Sequence, residues 1–410
     1  RKLIKLSVGL LAIASLGILT SCSDDDETQF KLVSLTSGTV DLNGATGAVD
    51  IPTDAIITAT FSKEVDETSL NIALTQMYDN ANIDVAVTVN KKVVTITPAG
   101  LGGGITYAIY FNTVKATSND VLVPFNRSFT TVGTFVPAGQ IAHWGFEDNA
   151  NDDIGTYNAS ANGIVDITYA SSRSTAAGKA ASFNGTTSII EVPNADELIN
   201  THDFTISFWV KTNSADITHG HFVLGLGAFY GIQFEINGSY KEAKFAIQYE
   251  KEDGTTASED MWFPSNATDL NTGGWKGWDY AKVLTDDQMI ALLKDSWLQV
   301  IYTFNGADRQ GILYYNGEKM KSFDFDLWPD DDAKRTVVGL KYGGVEPDVV
   351  NELAFGFIQS RAGTMWDAES WGGYDFPDAS HFKGLLDDVR IFHKTLTAQE
   401  VDLMYKSEKP

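Results

Sequence analysis

Residues 312–319 read ILYYNGEK, two extended segments joined by an Asn-Gly pair, and this stretch decides the class of fold. Asn316 and Gly317 both tolerate the positive φ angles of a type I′ turn, which makes the pair the strongest short signal for a β-hairpin. Upstream, residues 297–306 (WLQVIYTFNG) and 204–211 (FTISFWVK) are also strand-like. The second part of the chain is therefore predicted to consist of long, aromatic β-strands.

Five motifs of this part occur in an order that resembles the laminin-G-like, concanavalin A-like jelly roll. They are residues 144–147 (WGFE), 183–185 (FNG), 204–210 (FTISFWV), 314–317 (YYNG), and 384–400, which join GLLDDVRIF to a short helix. The resemblance implies a jelly-roll β-sandwich over residues 139–406, in which the regions 212–296 and 321–383 are expanded. Thr397 and Glu400 form a capping box for the last helix, and Thr285 and Gln288 predict another at 286–294.

The preceding segment is predicted to be a separate β-sandwich. Residues 56–61 and 85–90 alternate with a period of two, which marks half-buried strands. Together with residues 95–98 (TITP), 106–109 (TYAI) and 128–131 (SFTT), they resemble a bacterial Ig-like domain over residues 30–133. Such domains act as spacers. The predicted fold class is all-β, an Ig-like β-sandwich followed by a concanavalin A-like jelly roll.

The N-terminal residues predict export. Three basic residues lie within the first five positions, an apolar run covers residues 6–19, and small residues precede Cys22, the only cysteine. This pattern is typical of a secretory signal, because the apolar run is too short to span a bilayer comfortably. A cysteine at the cleavage point resembles the lipobox of bacterial lipoproteins, which implies a signal peptide at 1–21 and a lipid on Cys22. A retained anchor helix or a plain signal peptide is the alternative.

An acidic run follows this cysteine. Residues 24–27 (DDDE) make residues 22–29 an acidic tether, and the run resembles the export signal of surface lipoproteins in the Bacteroidota. The resemblance implies an outer-membrane protein exposed at the cell surface and attached to the membrane by its lipid alone.

Charge and cysteine content exclude several functions. The formal net charge is -24, so the protein is expected to repel the phosphates of nucleic acids. With Cys22 lipid-modified, no thiol remains for disulfides, metal ligation or catalysis.

Aromatic residues of the two expanded regions are the candidates for a ligand site. Aromatic rings cover the apolar faces of sugars, while amide and carboxylate groups bond sugar hydroxyls. The candidates are Trp262, Trp275, Trp278, Tyr280, Trp366, Trp371 and Tyr374. The predicted partner is a polysaccharide or oligosaccharide. The alternative is a small aromatic core that holds long loops in place.

Catalysis is the minority hypothesis. Glycoside hydrolases of the resembled fold carry paired carboxylates on one concave strand, whereas residues 234–237 (FEIN) contain a single acid, Glu235. No catalytic residue is therefore assigned. A hydrolase or lyase, and an adhesin or assembly subunit that binds surface proteins, are the two alternatives to glycan binding without cleavage.

A structural calcium ion is a further expectation. Calcium takes hard oxygen ligands, and the resemblance implies that acids of the first and last jelly-roll strands hold such an ion. The matching residues are Glu147, Asp387 and Asp388. The alternative is that the two aspartates only accept hydrogen bonds from loop amides.

Overall fold

In the computed structural model, which describes residues 29–44, 46–264 and 278–410, β-sheets build two separate units. Of the described residues, the first unit contains those up to Leu101 and Thr106–Thr131, and the second contains Gly102–Ile105 and those from Val132 to Pro410. Over the described residues, no helix combines the length and the apolar character needed to cross a membrane.

The first unit is a sandwich of two five-stranded sheets. One sheet has the order β2-β1-β4-β8-β7, and the other has the order β3-β10-β9-β5-β6. The strands are β1 Leu32–Ser37, β2 Val40–Asp41, β3 Ala48–Ile51, β4 Ile57–Phe61, β5 Asn71–Gln76, β6 Asn82–Ile83, β7 Val85–Asn90, β8 Val93–Pro98, β9 Thr106–Thr113 and β10 Phe125–Thr131. The predicted alternation is confirmed in β4, where Ile57, Ala59 and Phe61 are buried and the residues between them are less so.

The second unit pairs a nine-stranded sheet with an eight-stranded one. Its elements are β11 Gln140–Trp144, β12 Ile164–Val165, β13 Thr168–Ser171, β14 Lys179–Asn184, β15 Ile189–Val192, β16 Phe204–Thr212, β17 His221–Leu226, β18 Ile232–Ile236, β19 Ala243–Lys251, β20 Thr256–Phe263, β21 Trp278–Ala281, α1 Asp286–Leu293, β22 Leu298–Asn305, β23 Gln310–Tyr315, β24 Glu318–Asp324, β25 Val337–Leu340, β26 Leu353–Phe355, β27 Lys383–Phe392 and α2 Ala398–Glu408.

The order of strands places the last strand of this unit in the interior of the nine-stranded sheet, between β14 and β16. That sheet runs β13-β14-β27-β16-β22-β23-β24-β21, with β11 paired to β27. The eight-stranded sheet runs β12-β15-β26-β17-β18-β19-β20, with β25 paired to β19. The core lies between the two sheets, where Phe208 and Phe234 pack with ring centroids 5.2 Å apart. The predicted all-β class, with two sandwiches, is confirmed.

The local signals of the second unit are confirmed. Asn316 and Gly317 have φ angles of 50° and 76° and connect β23 to β24. Both capping boxes are present, at Thr285 with Gln288 before α1 and at Thr397 with Glu400 before α2.

Two expectations need correction. Glu147 was expected on the first jelly-roll strand, but that strand ends at Trp144. Beyond it, Phe146 adopts a left-handed backbone with a φ of 53°, which is incompatible with an extended strand. Five strands, β17 to β21, also cross the described part of the region 212–296, so Trp262 lies on β20 and Trp278 on β21 instead of in loops. Strand β17 illustrates why: all six of its residues are buried, so its two faces do not alternate in polarity.

Candidate functional site

The outer face of the eight-stranded sheet carries a row of polar residues. On β18, Ile232, Phe234 and Ile236 belong to the core, so the intervening Gln233 and Glu235 point to the opposite face. Glu235 is in register with Lys244 of β19.

A long loop, residues 357–381, brings aromatic rings onto this face. The ring centroids of Trp366 and Trp371 lie 4.8 Å apart. Trp371 packs edge-on against Phe222 of β17 at 6.2 Å, and Trp366 contacts Phe229 at 6.3 Å. These contacts fix both indoles beside the polar row.

The loop and the sheet enclose a cavity of about 440 Å³, which we call the tryptophan cavity. Both indoles line it, and its polar lining includes Gln233, Glu235 and Asn237. The indole N–H of Trp366 is buried and has no hydrogen-bond partner in the described part of the chain. The cavity therefore offers aromatic surface together with amide and carboxylate acceptors to one ligand.

Glu235 is the acidic group of the cavity. Gln233 Nε2 donates to its Oε2 at 2.5 Å, and Lys244 Nζ lies 3.3 Å from its Oε1. Burial raises the pKa of Glu235 above its usual range, against the opposing charge of Lys244. Lys244 Nζ also lies 3.6 Å from Asp260 and 5.1 Å from the centre of the Trp262 ring.

His221 forms part of the floor of the tryptophan cavity and is held neutral. Its Nε2 and the Tyr240 hydroxyl are 2.8 Å apart, and its Nδ1 accepts from the backbone N–H of Lys383 at 3.3 Å. Burial, reinforced by the charge of His219, lowers the pKa of His221 to about 4. The imidazole is therefore a fixed hydrogen-bonding group near neutral pH.

The structure brings together only part of the predicted aromatic set. Trp366 and Trp371 line the tryptophan cavity, and Tyr374 lines a second cavity beside it. Trp262 is 40% exposed on the same sheet, where Lys244 lies over its ring, but it does not line the tryptophan cavity. Trp275 lies outside the described residues.

Trp278 and Tyr280 lie on the other sheet. The ring of Trp278 stacks on Phe323 with ring centroids 6.1 Å apart, and Lys321 Nζ lies 4.0 Å from the centre of the Trp278 ring. These contacts show that Trp278 packs against its neighbours. The Tyr280 ring is 40% exposed beneath Lys319. A ligand role for these two residues remains a prediction without a link to the cavity.

The polar half of the cavity was missed by the sequence analysis. Glu235 was dismissed as a single acid, and Gln233, Asn237 and Lys244 were not considered. The available signal was the alternation of polar Gln233 and Glu235 with three large apolar residues on one strand.

The predicted calcium ligands have other partners. Arg173 donates to Asp387 Oδ2 and to Asp388 Oδ2, both at 2.5 Å, and Arg390 donates to Asp388 Oδ1 at 2.8 Å. Burial opposes ionisation of Asp388, but Arg390, His143 and Arg173 together lower its pKa. Glu147 lines the same cavity of about 560 Å³ as Asp388.

This donor set does not suit calcium, because the aspartate oxygens already face guanidinium groups that would repel a dication. Within the described ranges, no group of three or more His, Cys, Asp or Glu side chains is placed to hold a metal ion. Structural calcium stays a prediction, which melting temperatures measured with and without chelator would test.

Comparison with known families supports the domain content. Residues 36–131 match the family model of the bacterial Ig-like domain, and residues 184–348 match that of the concanavalin A-like lectin/glucanases superfamily. No curated protein matches the sequence.

Several solved structures are similar to the chain. The binding domain of botulinum neurotoxin serotype G has 15% identity and a TM-score of 0.40, over 65% of this chain and 50% of that one. The binding domain of Paraclostridial Mosquitocidal Protein 1 has 16% identity and a TM-score of 0.40, over 66% of this chain and 52% of that one. The chain thus spans about half the length of these two proteins. Domain 4 of a GH43 extracellular arabinanase from Geobacillus stearothermophilus, solved with arabinotriose, has 19% identity and a TM-score of 0.36, over 65% and 98%.

Proposed function

We propose that this protein is a cell-surface lipoprotein whose second unit binds carbohydrate without cleaving it, through the tryptophan cavity. One observation carries the proposal: Trp366 and Trp371 share a cavity with Gln233, Glu235 and Asn237. The exposed indole surface suits the apolar face of a sugar ring, and the amides and the carboxylate suit its hydroxyls. The Ig-like unit serves as a spacer between the lipid and this site.

The direct test is a glycan array probed with the purified protein lacking residues 1–21, with and without calcium. We expect selective binding of a related set of glycans. Trp371→Ala should weaken that binding while the protein stays folded. An array on which the folded protein binds nothing would contradict the proposal.

A glycan-cleaving enzyme is the second candidate, and Glu235 is the observation that favours it, because burial raises its pKa as a general acid requires. Lys244, however, lies between Glu235 and Asp260 and is within 3.6 Å of both. The ammonium group forms ion pairs with both carboxylates and offsets one of their two negative charges, which weakens their case as an acid and nucleophile pair.

The two candidates separate in an assay for new reducing ends on a glycan that the protein binds. We expect none to form. The protein would be an enzyme if the wild type released new reducing ends and Glu235→Gln still bound the glycan but released none.

A further inference from the structure

A second cavity, of about 350 Å³, lies on the other side of the 357–381 loop. We call it the Gln359 cavity. Its lining includes Gln359, Arg361, Asp367, Tyr374, Asp375 and Phe376.

The two cavities are separated by a single thickness of chain. Phe357 lines the Gln359 cavity, and the next residue, Ile358, lines the tryptophan cavity. In the same way, Trp366 lines the tryptophan cavity and the next residue, Asp367, lines the Gln359 cavity. Because consecutive Cα atoms are about 3.8 Å apart, the cavities lie next to each other at two points of the loop.

Gln359 contributes a buried acceptor that the fold leaves unused. Its side chain is part of a residue that is only 4% exposed, and its Nε2 donates to the carbonyl of Gly363 at 3.2 Å. Its Oε1 is buried and has no hydrogen-bond partner among the residues described. A buried acceptor without a partner is destabilising, so a ligand hydroxyl that donates to it would gain affinity.

The positive charge in this cavity is already committed. Arg361 donates through Nε to Glu191 Oε1 at 3.0 Å and through Nη2 to Glu191 Oε2 at 2.7 Å. Nη2 also donates to the carbonyl of Asn162 at 2.7 Å. A bidentate ion pair of this kind leaves little net charge to attract an anionic ligand.

The remaining groups favour a neutral ligand with many hydroxyls. Asp367 and Asp375 add exposed carboxylates, which accept from hydroxyl donors and repel carboxylates and phosphates. Tyr374 and Phe376 add aromatic surface, and Phe376 is 37% exposed. This combination matches a sugar unit without acidic substituents.

We propose that the Gln359 cavity is a second saccharide subsite, so that the ligand of the protein is a neutral oligosaccharide whose units occupy both cavities. The proposal rests on glycan binding at the tryptophan cavity and adds the class and the length of the glycan.

The test is calorimetric titration of the protein with neutral xylo-, manno-, gluco- and arabino-oligosaccharides of increasing length. For the wild type we expect affinity to rise with length until both subsites are filled. Gln359→Leu should remove that gain, by about tenfold, and leave the affinity for the shortest ligand unchanged.

Gln248→Leu is the matched control, because Gln248 is also buried with a free Oε1 but lines neither cavity. It should bind as the wild type does. If Gln359→Leu melts early, Asp375→Ala, at an exposed position, replaces it with the same expected loss.

The outcomes separate the two proposals. If Trp371→Ala binds every length as the wild type does, glycan binding at the tryptophan cavity is wrong. If Trp371→Ala loses binding but neither Gln359→Leu nor Asp375→Ala changes the dependence on length, only the second subsite is wrong. Wild-type binding confined to anionic glycans would also overturn the second subsite.

Discussion

The tryptophans that the structure describes range from buried to exposed. Trp144 and Trp328 are at most 2% exposed and pack in the core, whereas Trp371 is 41% exposed at the rim of a cavity. A core indole stabilises the fold by excluding water, while an exposed indole remains available to a ligand.

Trp371→Ala should weaken glycan binding by about 1–3 kcal/mol, because it removes a stacking surface, and should leave the melting temperature nearly unchanged. Trp328→Ala should instead lower the free energy of unfolding by about 3–5 kcal/mol. Titration calorimetry and thermal denaturation measure the two effects. The same titrations on Trp262→Ala and Tyr280→Ala, at exposed rings outside the cavity, test the ligand role predicted for these two residues, and an unchanged affinity would contradict it.

His221 should make stability depend on pH. Its folded pKa of about 4 lies below the ordinary value of 6.5, so its contribution is complete above pH 6.5 and is lost as the pH falls toward 4. When the pH falls from 6.5 to 4, the free energy of unfolding of the wild type should decrease by up to about 3 kcal/mol more than that of His221→Gln. Urea unfolding at both pH values tests this, and equal losses in the two proteins would show that His221 is not held neutral.

At the scale of elements, helix α2 is fastened to the nine-stranded sheet by buried charges. Glu408 accepts from Arg390 at 2.6 Å and from the Trp209 indole at 2.9 Å, and its carbonyl accepts from Arg173 at 2.9 Å. The two aspartates of β27 complete this network. The acidic pair in the last strand thus acts with two arginines to hold the helix on the sheet.

Glu408→Ala should lower the free energy of unfolding by about 3–5 kcal/mol, because it removes one of the two carboxylate partners of the buried Arg390. Lys406→Ala, which breaks an exposed pair with Asp402 on the same helix, should cost about 1 kcal/mol or less. Chemical denaturation of both variants measures the difference. Similar small losses in both would mean that the buried network contributes little.

At the scale of the whole molecule, the proposal joins a binding unit, a spacer and a lipid anchor. The anchor rests on Cys22 and residues 24–27, which lie outside the described residues, and so it remains a proposal from the sequence. Its physical basis is that acyl chains supply membrane affinity that the acidic polypeptide does not.

Cys22→Ala should release the protein from the membrane fraction, because no lipid is then attached. Alanine at all four positions 24–27 should leave it lipidated but protected from protease added to intact cells. Cell fractionation and protease shaving measure these outcomes. Full protease access in the second variant would show that the acidic run does not direct surface export.

The local elements and the class of fold could be predicted from short-range patterns of residues. The Asn316-Gly317 turn and the caps at Thr285 and Thr397 depend on residues within a few positions of one another, so they are legible without a structure. Alternation in strands such as β4 depends only on which face meets water.

The composition of the site could not be predicted in this way, because it depends on contacts between distant parts of the chain. The tryptophan cavity joins Glu235 to Trp371, and the partners of Asp387 include Arg173, more than two hundred residues away. Contacts at such separations follow from strand order and from the path of one loop. Local pattern does not encode that path. Both faces of β17 are buried, so this strand lacks the alternation of polar and apolar residues that would identify an outer face.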